Sequence, residues 1–205
     1  MTLDQYRSLA DRALEPFVGW AARAGLTPNA VSLIAFVLAG AAGGAYVLAG
    51  GESLWYLVGA ILVALNGALD LLDGALARRL DIASPAGDLL DHVLDRYADI
   101  FLVVGLAVGI DRAILGLVAV TGVLMTSYLG TQAQAVGLSR VYGGVLGRAD
   151  RLALIGVVTA VAAFVGISVG GIGLVSGLLV VFAVVGHLTA LQRLYYALGA
   201  LFESA

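Results

Sequence analysis

Seven of the fourteen acidic residues of this 205-residue chain fall between Asp70 and Asp99. Asp70 and Asp73 are three apart, and Asp91 and Asp95 are four apart. These spacings set two side chains on one face of a helix. A short turn around Ser84 and Pro85 separates the two pairs, which makes their helices antiparallel neighbours and brings the acidic ends together. Four ionised carboxylates so placed repel one another strongly in a low-dielectric setting, and something must neutralise them. There is no cysteine and no suitably placed pair of histidines. Oxygen ligands alone select a hard cation such as Mg²⁺, Mn²⁺ or Ca²⁺. Two such ions on four carboxylates suit phosphoryl transfer, because paired metals stabilise charge on both the attacking and the leaving oxygen. Gly74 leaves room for a ligand to approach the helix backbone, and Arg78 can meet a phosphate on that ligand.

The elements that hold these residues follow from composition. The chain is 61% hydrophobic and 12% charged, with a mean hydropathy of +1.01. A soluble domain of this size needs more polar surface than that. Six apolar stretches, at about 30–48, 54–78, 87–108, 113–135, 148–165 and 172–198, can each cross a bilayer core, which takes about 20 helical residues apiece. The expectation is one all-α integral membrane domain filling residues 1–205. Residues 3–22 read as an amphipathic helix in the membrane interface, with Tyr6, Leu9, Leu14, Phe17 and Val18 opposite Asp4, Arg7, Asp11 and Arg12. No signal peptide is read in that segment. Thr27 and Pro28 make a good helix start after the break at Gly25. The many glycines and alanines fit close helix packing in lipid. A solvated helix end would explain one or two of the aspartates. It does not explain the set, because Asp70 and Asp95 lie on otherwise apolar spans, where ionisable groups mark functional sites.

Every basic residue is arginine. With six spans and a cytoplasmic N-terminus, the inside segments hold Arg7, Arg12, Arg23, Arg78, Arg79, Arg96, Arg140, Arg148, Arg151 and Arg193, while the outside loops hold Arg112 alone. That asymmetry predicts a multi-pass cell-membrane protein with both termini and the acidic site in the cytoplasm. Trp55, Tyr56, Tyr195 and Tyr196 fit interfacial belts rather than a stacking site for bases, and no nucleic-acid partner is expected. His92 reads as a packing or hydrogen-bonding residue, His187 as core and Asp88 as a complement to its helix N-terminus. Asp99, one turn deeper than Asp95, reads as a partner that supports the site.

The run Asp70-Leu-Leu-Asp73-Gly74-Ala-Leu-Ala77-Arg78, then eight residues, then Gly87-Asp-Leu-Leu-Asp91-His-Val-Leu-Asp95 resembles the signature of the CDP-alcohol phosphotransferase family at all eight of its fixed positions. The six-span plan and the N-terminal interfacial helix extend the resemblance over nearly the whole chain. It implies that Asp70, Asp73 and Asp91 bind two divalent ions, Mg²⁺ or Mn²⁺. Asp95 would deprotonate the acceptor hydroxyl and also touch a metal. Gly74, Arg78 and Gly87 would hold the CDP moiety, with Asp70 and Ala77 beside it. Thr27, Pro28, Asn29 and Ser84 match positions that contact the nucleotide in related enzymes. The implied reaction is attack of a small polar alcohol on the lipid-side phosphorus of a CDP-linked lipid, releasing CMP, by a homodimer.

The second half is similar, more weakly, to the branch that makes phosphatidylinositol phosphate and its archaeal counterpart, through Ser127-Tyr128, Gly137-Leu138, Arg148-Ala-Asp-Arg151-Leu152 and Gln192-Arg193-Leu194. That likeness implies that Arg148, Arg151 and Arg193 clamp the phosphate of the acceptor, a role suited to a bidentate and permanently charged side chain. Gly130 and Gln132 depart from the branch, which has basic residues there. The acceptor is expected to be phosphorylated, inositol phosphate or glycerol phosphate, ahead of serine or free inositol. The rival from another class is a divalent-cation transporter or channel. Its pathway residues belong near mid-membrane on several spans, whereas here they crowd at one end of two.

Overall fold

The structure is a computed structural model that describes residues 7–138, 147–166, 168–170 and 172–203. Arg140 and the start of the N-terminal helix, with Asp4 and Tyr6, lie outside the described residues, as do the side chains of Arg7, Leu9, Asp11 and Arg12. Seven helices run in chain order: α1 (Arg7–Arg23), α2 (Pro28–Leu48), α3 (Leu54–Leu80), α4 (Pro85–Gly109), α5 (Ala113–Ala135), α6 (Arg148–Ala162) and α7 (Leu174–Glu203).

Local chemistry sets the boundaries nearest the acidic residues. Thr27 caps α2, its Oγ1 accepting from the Ala30 N–H at 3.3 Å, with Pro28 as the first helical residue. Ser84 does the same for α4, its Oγ accepting from the Gly87 N–H at 3.2 Å ahead of Pro85. Both are Ser/Thr-Pro starts, where the hydroxyl satisfies an orphan donor and proline is tolerated. Asp81, at φ 54°, ends α3 in the left-handed region. Between α6 and α7 the chain forms a two-residue antiparallel ribbon, β1 (Ser168–Val169) and β2 (Ile172–Gly173). The sixth stretch therefore becomes helical at Leu174, two residues later than its apolar run begins. Gly170, at φ 59°, makes the tight turn that diverts it.

Six helices close a ring in which α2 lies against α3 and α4, α4 against α5, α5 against α7, α7 against α6, and α6 against α3. Here the structure corrects the sequence. α3 and α4 are not a closely packed pair among the described residues; each packs on α2, and acidic side chains meet across the gap. Repulsion between their carboxylates and the space needed for a ligand both oppose direct packing. On the far side, glycine lets backbones meet: a Cβ at Gly105 of α4 would strike the Gly43 carbonyl of α2. The core around Tyr46, Leu102, Leu106, Val123, Leu179 and Phe182 is fully or almost fully buried. Tyr56 belongs to it, 8% exposed and 6.3 Å from the Tyr46 ring, rather than to an interfacial belt. Trp55, Tyr195 and Tyr196 are exposed.

α1 packs on α3 through Val18, Ala21, Leu72 and Leu76, and leaves Phe17 and Trp20 exposed. Four helices, α2, α3, α5 and α7 as far as Phe202, are long and apolar enough to cross a membrane. α4 carries five charges between Asp88 and Asp99, and α6 has 15 residues. The molecule is an all-helical membrane protein apart from the small ribbon.

Candidate active site

Three helices deliver the charged groups. α3 presents Asp70 and Asp73, α4 presents Asp91 and Asp95, and α6 begins with Arg148. One carboxylate oxygen from each of Asp70, Asp91 and Asp95 lies within 4.8 Å of the other two. Oxygens that share a hard cation at about 2.0–2.6 Å lie at most ~4–5 Å apart, so the donor set and its spread fit such an ion.

Asp73 stands outside that three-oxygen group. It is 6% exposed and accepts a hydrogen bond from the Ser32 hydroxyl of α2 at 2.6 Å. It lies one turn from Asp70 on the same helix and lines the same cavity, with its Oδ2 held by α2. Ser32 is a residue that sequence reasoning missed. A serine one turn past a Thr-Pro cap is ordinary, and only the packing of α2 on α3 gives it a partner.

Arginines occupy the carboxylates. Arg148 reaches Asp70 Oδ2 with one terminal nitrogen at 2.5 Å and Asp95 Oδ1 with the other at 2.7 Å. Arg96 approaches the second oxygen of Asp95 at 3.4 Å and Asp99 also at 3.4 Å. Arg151 donates to Asp99 at 2.7 Å, and both side chains are buried. The Nε groups of Arg148 and Arg151 are buried donors with no hydrogen-bond partner among the described residues. Arg193, on α7, donates to the Thr126 carbonyl of α5 at 2.7 Å. Of the three arginines expected at an acceptor phosphate, Arg148 alone lines the cavity described next.

A cavity of about 1210 Å³ opens beside the cluster. Asp70, Asp73, Asp91 and Arg148 line it, and so do all nine residues expected to contact a CDP-lipid: Thr27, Pro28, Asn29, Asp70, Gly74, Ala77, Arg78, Ser84 and Gly87. Its volume exceeds the roughly 300–1,000 Å³ of ordinary small-molecule pockets. Below the carboxylates it continues between α3 and α6 over apolar residues that include Leu57, Ala60, Ala64, Leu152, Gly156 and Ala160. Sequence reading assigned the small residues to helix packing. Ala60, Ala64 and Gly67 on α3, and Ala149, Ala153, Gly156 and Ala160 on α6, also line the cavity where these two helices meet, and Gly74 lines it as expected of a ligand-facing glycine. Their spacing of three or four was a readable sign of one helical face.

Two lesser expectations resolve. His92 Nδ1 lies 2.7 Å from the Asp88 carbonyl, a hydrogen-bonding place on its own helix. His187 is half-buried rather than core, with Nε2 3.2 Å from the Val118 carbonyl of α5.

Comparison with known proteins adds five findings. The family model for CDP-alcohol phosphatidyltransferase matches residues 25–189. The archaetidylinositol phosphate synthase of Methanothermobacter thermautotrophicus is 31% identical over 198 residues, 95% of this chain and 93% of that protein. The phosphatidylinositol phosphate synthase of Streptomyces avermitilis is 34% identical over 161 residues, 74% of this chain and 64% of that protein. Among solved structures, the Mycobacterium tuberculosis phosphatidylinositol phosphate synthase with CDP-DAG bound superposes with a TM-score of 0.78 at 28% identity, covering 91% of this chain and 94% of that one. The same enzyme with manganese and citrate gives 0.76, also at 28% identity, covering 89% of this chain and 87% of that one.

Proposed function

Because this chain belongs to the CDP-alcohol phosphatidyltransferase family, we propose that it transfers a phosphatidyl-type group, diacylglycerol or archaeol phosphate, from a CDP-linked lipid to inositol phosphate and releases CMP. The relatives that carry the acceptor's name in their own are inositol phosphate lipid synthases. They favour inositol phosphate over glycerol phosphate, the second reading, despite Gly130 and Gln132. A divalent-cation transporter finds no support in this family or in a site gathered at one end of the ring.

The observation that carries the proposal is the convergence of Asp70, Asp91 and Asp95, the first two lining the polar end of a cavity whose other end is apolar. The diphosphate of a CDP-lipid lies at the carboxylates in this reading. Cytidine lies towards Thr27, Asn29, Ser84 and Gly87, and the chains lie between α3 and α6. Asp70, Asp73, Asp91 and Asp95 would hold two divalent cations, Mg²⁺ or Mn²⁺, which when bound neutralise charge on the reacting phosphates. Asp95 takes the proton of the acceptor hydroxyl as its oxygen bonds to the lipid-side phosphorus. The bond from that phosphorus to the CMP oxygen breaks, and Arg78 steadies the departing nucleotide. The buried, unpartnered Nε of Arg148, which lines the cavity, supports an anion at the acceptor position, since such donors are rarely left unmet; in this reading Arg151 and Arg193 join that clamp from outside the cavity lining.

In the same reading α2 to α7 all cross the bilayer in one domain, α1 lies in the interface and the protein forms homodimers. Both termini and the site face the cytoplasm, because Arg23, Arg78, Arg79, Arg96, Arg148, Arg151 and Arg193 share the end opposite Arg112. Purified protein supplied with CDP-lipid, Mg²⁺ or Mn²⁺ and either inositol phosphate, glycerol phosphate, inositol or serine tests the assignment. CMP release with inositol phosphate is the expected result; release with glycerol phosphate alone reassigns the acceptor, and none with any acceptor defeats the reading.

A further inference from the structure

We infer that Arg148 is an internal counter-cation of the carboxylate site, which competes with a divalent ion for Asp70 and Asp95 and is released to the acceptor's phosphate when that ion loads. The inference rests on the proposed function and adds an order of events to it.

The geometry is specific. Arg148 spans two helices, binding Asp70 Oδ2 on α3 and Asp95 Oδ1 on α4 with separate nitrogens. Both carboxylates belong to the three-oxygen group that fits a cation. Asp95 has no oxygen clear of arginine, since Arg96 stands 3.4 Å from the other one. A guanidinium carries one positive charge against at least three clustered carboxylates, so it offsets their repulsion in part. A divalent ion offsets more, but must take oxygens that Arg148 already engages. Two cations on the same oxygens repel each other, and each weakens the hold of the other. Arg148 is the first residue of α6 and lines the cavity, so a long, flexible side chain can turn from the carboxylates to a phosphate without moving its helix. The Nε of Arg148, buried without a partner, is a donor that carboxylate pairing does not use. Asp95 is thus kept from acting as a base until cation and acceptor are both in place.

The test is Mn²⁺ binding to the full-length protein in detergent or nanodiscs, read from the electron paramagnetic resonance of free Mn²⁺, without substrate or turnover. Removing the competitor in Arg148→Ala should tighten Mn²⁺ binding about tenfold, the gain if the guanidinium holds the site about nine-tenths of the time. Arg148→Lys keeps the charge but cannot bridge both carboxylates. Its affinity should fall between the two, and it supplies the answer if the alanine variant does not fold. Unchanged or weaker Mn²⁺ binding in these variants, with saturable binding in the parent that Asp91→Asn removes, overturns the competition and leaves the functional reading standing. Absence of any binding that depends on Asp91 overturns both.

Discussion

Arg151 and Asp99 form an ion pair at 2.7 Å with side chains 3% and 4% exposed, one turn of α4 below Asp95. Arg96 adds a second cation to Asp99 at 3.4 Å. Deep in a helical membrane protein, neither partner is tolerable alone. Asp99→Ala should therefore destabilise the protein by about 3–5 kcal/mol. The double replacement Asp99→Leu with Arg151→Leu should restore much of that loss but not transferase activity. Thermal unfolding in detergent beside CMP release separates the two effects. An active double variant would leave Arg151 without a part in acceptor binding.

Ser32 holds Asp73 at 2.6 Å. Ser32→Ala removes a hydrogen bond to a charged group, a loss of about 1.5–3 kcal/mol. If Asp73 must be aimed to serve the site, kcat/KM should fall about tenfold, the equivalent of roughly 1.4 kcal/mol. Activity equal to the parent would show that Asp73 finds its position without α2.

Asp95→Asn keeps the shape of the side chain and abolishes its basicity. Turnover should drop by about 10²–10⁴, the range for a positioned proton acceptor. CDP-lipid binding, measured by calorimetry, should persist. Near-normal turnover would take the proton-accepting role away from Asp95.

Gly156 faces the apolar part of the cavity, and a Cβ built there meets no atom within 4 Å. Gly156→Trp should fold, fill that space and raise KM for long-chain CDP-lipid more than for a short-chain analogue. Equal effects on both substrates would move the chains out of the space between α3 and α6.

The acidic site was legible in the sequence because helical spacing, two Ser/Thr-Pro caps and a membrane-scale hydropathy pattern all point to the same place. Asp70, Asp91 and Asp95 meet as their positions on two helices require, and the nine residues expected around a CDP-lipid share one cavity. What spacing cannot convey is which neighbour a helix chooses. A short turn made α3 and α4 look like packed partners, yet α2 lies against both. The attachment of Asp73 to Ser32 follows from that and was invisible for the same reason. Tyr56 illustrates another limit: its place near a span end matches an interfacial belt, but the face it occupies turns it onto Tyr46. Which small residues of α3 and α6 pack and which line the cavity was not legible, because a face that admits another helix and a face that leaves a channel have the same composition.

The cavity that runs from the Ser84 turn to the space between α3 and α6 gives the proposed reaction one route for each phase. The nucleotide is soluble in water, and its way out is past Arg78 into the aqueous phase. The new lipid would keep its chains in oil and leave through the apolar part of the cavity, beside Ala60 and Gly156. The two products separate into different phases as they leave, each to be diluted there. The substrates are likewise one lipid and one water-soluble alcohol, so the divided cavity matches each reactant to its own solvent and leaves the direction to their concentrations.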